Sequence, residues 1–441
     1  MTGVPITRRQ VVLGSVLLFL VTLMTVAGDY ASWWGSWGET SATLETSTLL
    51  TYPAVAAIAA WTTSGSRRNR YQWMLDSAAR QRHSVHLRVV ATQAASASVG
   101  FLVVALMAGI ATATQATFGT FPIIDLFTIV AGFFAASGLG VLLATLVPPA
   151  LAPVCAVATV YAVGAFADTS RPSLRPLAGL IVADGRDRTY LSAATWMLGL
   201  RGMWLLAVAF LLVALAARAS SKAWLPLAAA CLTAVPLLLV GDAGMTVDEA
   251  AARPVCHHPR PSVTVCLSAA LDHTYPSVWS ALEPELDLLS GLAGQWHLAE
   301  SAVADQLNAS YRDGTITVPF EIVNGTDSSA HVADREALQV QFSATLLQGL
   351  CGSGGDYTGR RPVATPEDVI ESWLLSELDI PLDGHGPEDP HLSSKWLDYT
   401  AMERFRAHWD SRTATQRRAW FRAHAQDVVQ CQLSNVEVMT P

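Results

Sequence analysis

Apolar positions in this chain gather into long uncharged runs up to residue 240 and then stop doing so. The run at 223–240, AWLPLAAACLTAVPLLLV, is closed by Gly241 and Asp242. At about 1.5 Å per helical residue it covers roughly 27 Å, enough to cross a bilayer core. Six earlier runs have the same character, at 11–28, 47–63, 89–113, 126–147, 151–167 and 202–217. Short polar loops separate them. Residues 242–441 contain no run of comparable length. The pattern predicts an α-helical polytopic membrane domain of about seven spans over residues 1–241. A soluble α+β domain follows over residues 242–441.

The loops set the expected orientation. Residues 67–88 carry six arginines, Arg67, Arg68, Arg70, Arg80, Arg82 and Arg88, between two spans, which marks a cytoplasmic loop. Residues 29–46 have no Lys or Arg, but have Asp29, Glu39, Glu45 and the interface-suited Trp33, Trp34 and Trp37; they are expected to form an outward loop. The connection at 168–195 runs against the tendency, with Arg171, Arg175, Arg186 and Arg188 on the predicted outer side. Counting Arg201 at the outer end of the sixth span, the outside holds five basic residues and the cytoplasm ten. An N-terminus inside and an odd number of spans place residues 242–441 outside the cell. Thr7-Arg8-Arg9 before the first run resembles a twin-arginine export signal, but the run is long and Leu-rich and reads as an anchored helix.

Charge divides at the same boundary. Residues 1–241 hold 15 Lys+Arg and 8 Asp+Glu, whereas residues 242–441 hold 13 and 28. So acidic a second half argues against nucleic acid or anionic lipid as its ligand. Cys155 and Cys231 lie in apolar runs, where a thiol behaves as a small hydrophobe. Cys256, Cys266, Cys351 and Cys431 form an even set in the second half, which suits disulfides in an oxidising compartment. A bridge between Cys256 and Cys266 would close a small hairpin-like loop, and Cys351 is expected to pair with Cys431. No CxxC pair suggests zinc, although His257 and His258 stand beside Cys256.

Within the second half, Val278, Leu282, Leu286 and Leu289 recur at helical spacing with Pro284 as a flaw, and 316–323 (ITVPFEIV) reads as a strand. Residues 334–350 read as a helix. Another opens at Thr365-Pro366-Glu367-Asp368, and a last one at Thr413 with Gln416 three residues on, a capping-box pattern.

Gly132, Ala136 and Gly140 fall at i, i+4 and i+8, a small-residue face that admits a close neighbour, read as packing within the chain ahead of dimerisation. No GxxxxGK[ST] phosphate loop occurs; the Gly-rich 349–359 lacks the lysine. Any ATP-driven work would need a separate ATPase. In 67–88, Tyr71, Trp73 and Met74 interleave with the arginines as on an amphipathic interfacial helix, fitted either to a groove on a cytoplasmic partner or to anionic headgroups. The histidines of the second half show no HExxH spacing and no serine lies in a GxSxG elbow, so an enzyme is not expected, nor a cofactor or metal site. Arg201 and Asp125 are placed at span ends, which leaves no intramembrane carboxylate or lysine for an ion path and favours ATP over ion coupling.

A cytoplasmic amphipathic segment between the second and third spans, six core spans, small-residue helices and no nucleotide site together resemble the permease subunit of an ABC-2-type transporter. The seventh span and a Cys-containing exterior domain, with VCL at 265–267, resemble permease-like proteins of high-GC Gram-positive bacteria. The resemblance implies that Arg67, Arg68, Arg70, Tyr71, Trp73, Arg80 and Arg82 form the segment coupling to a cytoplasmic ATPase subunit. It also implies a homo- or hetero-dimer in membrane lipid, engaged in export. The competing expectation is a membrane-anchored receptor or assembly scaffold with no transport activity.

Overall fold

The structure is a computed structural model and describes residues 8–28, 33–68, 82–170, 177, 191–217, 220–240, 245–289, 291–301, 303–304, 309–320, 322, 335, 338–339, 341–343, 345–346 and 411–426. The chain divides into two compact units, Met1–Glu249 and Ala250–Pro441.

The first unit is helical. In chain order its helices are α1 (Arg8–Gly28), α2 (Trp37–Thr46), α3 (Thr48–Arg68), α4 (Arg82–Ala113), α5 (Ile123–Leu146), α6 (Ala152–Ser170), α7 (Thr195–Ala216) and α8 (Ser220–Val240). Each of the seven apolar runs is a helix; α2 is an eighth, where an outward loop was expected. Among the described residues, three stretches are long and apolar enough to cross a membrane, His83–Ala113, Ile123–Leu146 and Thr195–Ala216. Val12–Gly28, Ala152–Phe166 and Trp224–Leu239 are shorter apolar helices. α3 falls in neither class because Thr, Tyr, Ser and Pro53 interrupt its apolar run. Strand β1 (Leu191–Ala193) pairs antiparallel with β2 (Met245–Val247), which carries the first unit past the end of α8.

Small residues set the packing of α3 on α5. A Cβ on Gly140 would fall 2.1 Å from the Ala56 carbonyl oxygen, and one on Gly132 would fall 2.1 Å from the Tyr52 hydroxyl. The Gly132, Ala136 and Gly140 face is thus filled from within the chain. Gly202 of α7 likewise makes room for Phe127 of α5, where a Cβ would meet the ring at 2.4 Å. Without a hydrophobic drive between helices in lipid, such close approach is a main source of association.

The second unit is built on a five-stranded sheet of order β3-β4-β5-β7-β6. Its strands are β3 (Pro254–Arg260), β4 (Val263–Ser268), β5 (Gln295–Glu300), β6 (Ser310–Arg312) and β7 (Thr315–Phe320). β4, β5 and β7 are parallel neighbours; β3 and β6 are antiparallel edges. Helix α9 (Tyr275–Leu288) carries the chain between the parallel strands β4 and β5. Its Val278, Leu282 and Leu286 are buried against Val265, Leu298, Ile316 and Phe320 despite Pro284 within the helix. Leu338, Phe342 and Leu346, at i, i+4 and i+8 in the expected 334–350 helix, join the same core. Asp313 and Gly314 both take positive φ in the β6–β7 turn, as a tight hairpin of right-handed twist requires. The closing helix α10 (Ala414–Ala423) has the capping box: Thr413 accepts from the Gln416 amide while the Gln416 side chain accepts from the Thr413 amide.

Cys256 and Cys266 face each other across β3 and β4 and form a disulfide. Cys155 and Cys231 are free. Cys351, Cys431 and the helix expected at 365–378 lie outside the described residues.

Two outcomes follow for stability. Gly140→Ala is expected to cost about 1–3 kcal/mol through overpacking against Ala56, whereas Gly199→Ala in α7, where a Cβ meets nothing within 4 Å, is neutral or stabilising; thermal denaturation in detergent compares them. Replacing Cys256 and Cys266 together by serine opens a loop with a sequence separation of 10. It is expected to lower the stability of the second unit by about 2–3 kcal/mol, read from the urea midpoint.

Candidate functional site

The most polar helix of the first unit is also one of its most buried. α2 reads WGETSATLET, and Thr40, Ser41, Ala42, Thr43, Leu44 and Glu45 are all buried. Gly35, at φ +93°, makes the turn that starts it, and the Ser36 side chain caps it by accepting from the Glu39 amide. Two of the tryptophans expected at an interface instead fasten this entry. The Trp33 indole donates to Val26 O at the end of α1, and the Trp34 indole donates to Ala111 O at the end of α4, both at 2.8 Å. The loop assignment expected at 29–46 is corrected on that account: from 37 on the chain is a capped helix packed against α3, α4 and α5. Ser47 then turns the chain directly into α3.

The side chains of α2 make polar contacts across the unit. Thr40 Oγ1 lies 2.6 Å from Thr112 Oγ1 of α4. Ser41 Oγ donates to Asp125 Oδ2 in the first turn of α5 at 2.5 Å. One turn on, Glu45 is 2% exposed. Tyr52 of α3, also buried, donates its hydroxyl to Ile129 O of α5 at 3.0 Å and meets Phe133 edge to face. Thr128 of α5 donates to Leu198 O of α7 at 2.9 Å.

Arg201 completes this set. It was expected at the outer end of a span that begins at 202, but α7 begins at Thr195, and Arg201 stands two turns inside it at 8% exposure. Glu45, Tyr52 and Arg201 are thus all buried within this unit. A permanent cation, a buried carboxyl group, a phenol and several hydroxyls therefore lie in the interior of a unit built of long, mostly apolar helices. Such groups are costly in hydrocarbon, about 2.5–3.5 kcal/mol for Arg at a helix centre on insertion scales, and are kept where they pair with one another or meet a polar cargo. This set can hold an anion on the guanidinium, a cation on the carboxylates, or a polar group of either sign on the hydroxyls. The premise that Arg201 sits at a span end, which had favoured ATP over ion coupling, does not hold.

The ATPase-coupling residues expected from the sequence are only partly placed. Arg67 and Arg68 are the last residues of α3 and Arg82 the first of α4. Arg70, Tyr71, Trp73 and Arg80 lie outside the described residues.

In the second unit the polar side chains clamp the edge strand. His257 Nε2 is 2.6 Å from Asp272 Oδ1, and its ring stacks on Tyr275 at 3.9 Å. Arg260 donates to Asp287 at 2.5 Å and to Glu283 at 2.7 Å while lying over the Trp279 ring. Hydrogen bonds to Asp287 and Glu283 push the Arg260 pKa above its usual range; burial, then the Glu283 charge, raises that of Tyr275. Two carboxylates turn inward. Glu300 accepts from the Ser268 amide at 2.8 Å, and Glu285 accepts from Ser343. Each contact ties β3, β4 or α9 to its neighbour, which is a structural task. Among the described residues no three His, Cys, Asp or Glu side chains converge as a metal site.

Sequence reasoning missed Glu45, Tyr52 and Arg201. The signal for Arg201 was present: WMLGL precedes it and GMWLL follows it, so the apolar run continues across the arginine. For Glu45 the local signal was Ser36 with Glu39 three residues on, which marks a helix start, but nothing in the local pattern marked that helix as buried. Comparison with other proteins adds no identification: no family model matches the chain, and no curated protein or solved structure matches it significantly.

Proposed function

We propose that the chain is the membrane-spanning component of an export system, that a separate ATPase supplies the energy through residues 67–82, and that the buried Glu45, Tyr52 and Arg201 lie on the path of a polar or charged cargo. The observation that carries this reading is the buried arginine and carboxyl group inside a unit whose long helices expose many large apolar side chains. An anchor that only holds a domain at the membrane gains nothing from ionisable groups in its interior and bears their desolvation cost. Residues 242–441 are proposed to lie outside the cell, where they gate or capture cargo. Support comes from the Cys256–Cys266 disulfide, which suits an oxidising compartment, and from the arginines of 67–88 on the opposite side of an odd number of proposed spans.

The receptor or scaffold reading is kept for one reason. The second unit has a hydrophobic core of its own, so it has the means to fold and bind without the helices.

The solubilised chain is expected to capture an ATPase. Arg68→Glu with Arg70→Glu and Trp73→Ala should reduce that capture at least about tenfold, the loss of roughly 1.4 kcal/mol or more. Arg201→Met with Glu45→Gln should leave capture intact and abolish transport in proteoliposomes containing both proteins. A wild-type chain that isolates alone, together with an isolated 250–441 unit that binds its partner at full affinity, would establish the receptor reading. For orientation, mild reduction of intact cells followed by a membrane-impermeant thiol reagent is expected to label Cys256; protection of that thiol until the cells are lysed would invert the proposed topology.

A further inference from the structure

The acidic charge of the second unit conceals a local excess of the opposite sign. Six of the 13 Lys+Arg in residues 242–441 fall in 404–422 (Arg404, Arg406, Arg412, Arg417, Arg418 and Arg422), and the one acid among them is Asp410. Arg404 and Arg406 lie outside the described residues; the other four lie on or just before α10. Trp420 packs against the core of the unit, which sets the rotation of the helix, and Ala425, beyond its end, packs there as well. Thr415, Arg418, Ala419 and Arg422 are exposed away from Trp420, with the two arginines at i and i+4 and the Arg422 stem running beside Gly291. Like charges at that spacing repel by a few tenths of a kcal/mol in an isolated helix. Neither Arg418 nor Arg422 has a counter-ion among the described residues.

We propose that this arginine face docks on anionic lipid headgroups of the membrane that holds the chain's own helices. Guanidinium groups pair with phosphodiesters through two parallel hydrogen bonds, whereas a smaller or mobile cation supplies only charge. The connection from Val240 to Ala250 leaves nine intervening residues, an extended reach of about 30 Å at most. Lipid phosphate is therefore present near the second unit at high effective concentration throughout the protein's life, an advantage that no diffusing acidic partner shares. Small Thr415 and Ala419 flank the arginines and let both guanidinium groups reach one plane. Trp420 is committed to the core, so the contact is electrostatic and parallel to the surface, with no inserted aromatic anchor. The acidic remainder of the unit faces repulsion from the same headgroups, which would orient the unit with α10 toward the lipid.

The test uses the full chain in nanodiscs of phosphatidylcholine alone or mixed with phosphatidylglycerol. Neutral phenylglyoxal modifies accessible arginines, and peptide mass spectrometry reads each site. Adducts at Arg418 and Arg422 are expected to form at least about threefold more slowly on the anionic discs, with the rate restored at high salt. Arg312, exposed on β6, should react equally in both. Thr415→Glu with Ala419→Glu places two acids on the same exposed face and should abolish the protection without touching the core. Inorganic phosphate added to phosphatidylcholine discs should not protect. If it does, the face binds soluble phosphate and the membrane proposal is overturned. Equal rates on the two kinds of disc, or protection that survives the double substitution, overturn it as well.

Discussion

Burying charge among apolar helices is the constraint on which the first unit depends. Glu45 and Arg201 both lie inside it, and neither has bulk water to lean on. The surroundings are arranged accordingly. α2 brings a row of hydroxyls inward, Asp125 meets Ser41, and Tyr52 turns its phenol toward α5. That last contact exists only because Gly132 has no side chain, since a Cβ there would occupy the place of the Tyr52 hydroxyl. The small residues of α5 thus serve two ends at once. They bring α3 within packing distance, and they open the room in which a polar side chain can be satisfied. In lipid these are one requirement, because an unsatisfied polar group has no solvent to fall back on.

The second unit solves a different problem. Three of its strands are parallel and buried, and the burial of β4 is nearly continuous, as parallel strands covered by helices require. Its liability is the edge strand β3, half exposed along its length. Three independent ties hold it: the disulfide to β4, the His257–Asp272 pair with its stacked tyrosine, and the arginine bridged to two acids of α9. The histidines and acids beside Cys256, which invite a metal or catalytic reading in the sequence, are the clasp of this edge. The ion pairs are partly exposed and each contributes little alone, so the covalent link carries the larger share.

What the sequence made legible follows from the range of the interactions involved. The seven apolar runs, the helix through Val278, Leu282 and Leu286, and the Thr413 capping box are local patterns, decided within a few turns, and each appears in the fold. The Gly132, Ala136 and Gly140 face was legible as a face, though not as the seat of Tyr52, which is 80 residues away from Gly132 in sequence. The interior site was not legible. A polar decapeptide rich in Thr and Ser has the composition of a loop, and only contacts with Ala111, Thr112 and Asp125, each about 70 or more residues distant, turn 37–46 into a buried helix. Arg201 was misplaced for a simpler reason. Ending a span at a charge presumes that charges stay out of the bundle, and here α7 buries one nearly two turns past its start.

That burial bears on how the unit could work. A small rotation of α7 against α5 would part Thr128 from Leu198 and carry the buried Arg201 with it. Gly202 and Gly138 sit at that interface, against Phe127 and the Ala209 carbonyl. Each glycine admits a group of the facing helix, the Phe127 ring in one case and the Ala209 backbone in the other, so the two helices lie close and interlocked there. A side chain at either glycine would push α5 and α7 apart, and with them the Thr128 bond and the buried Arg201.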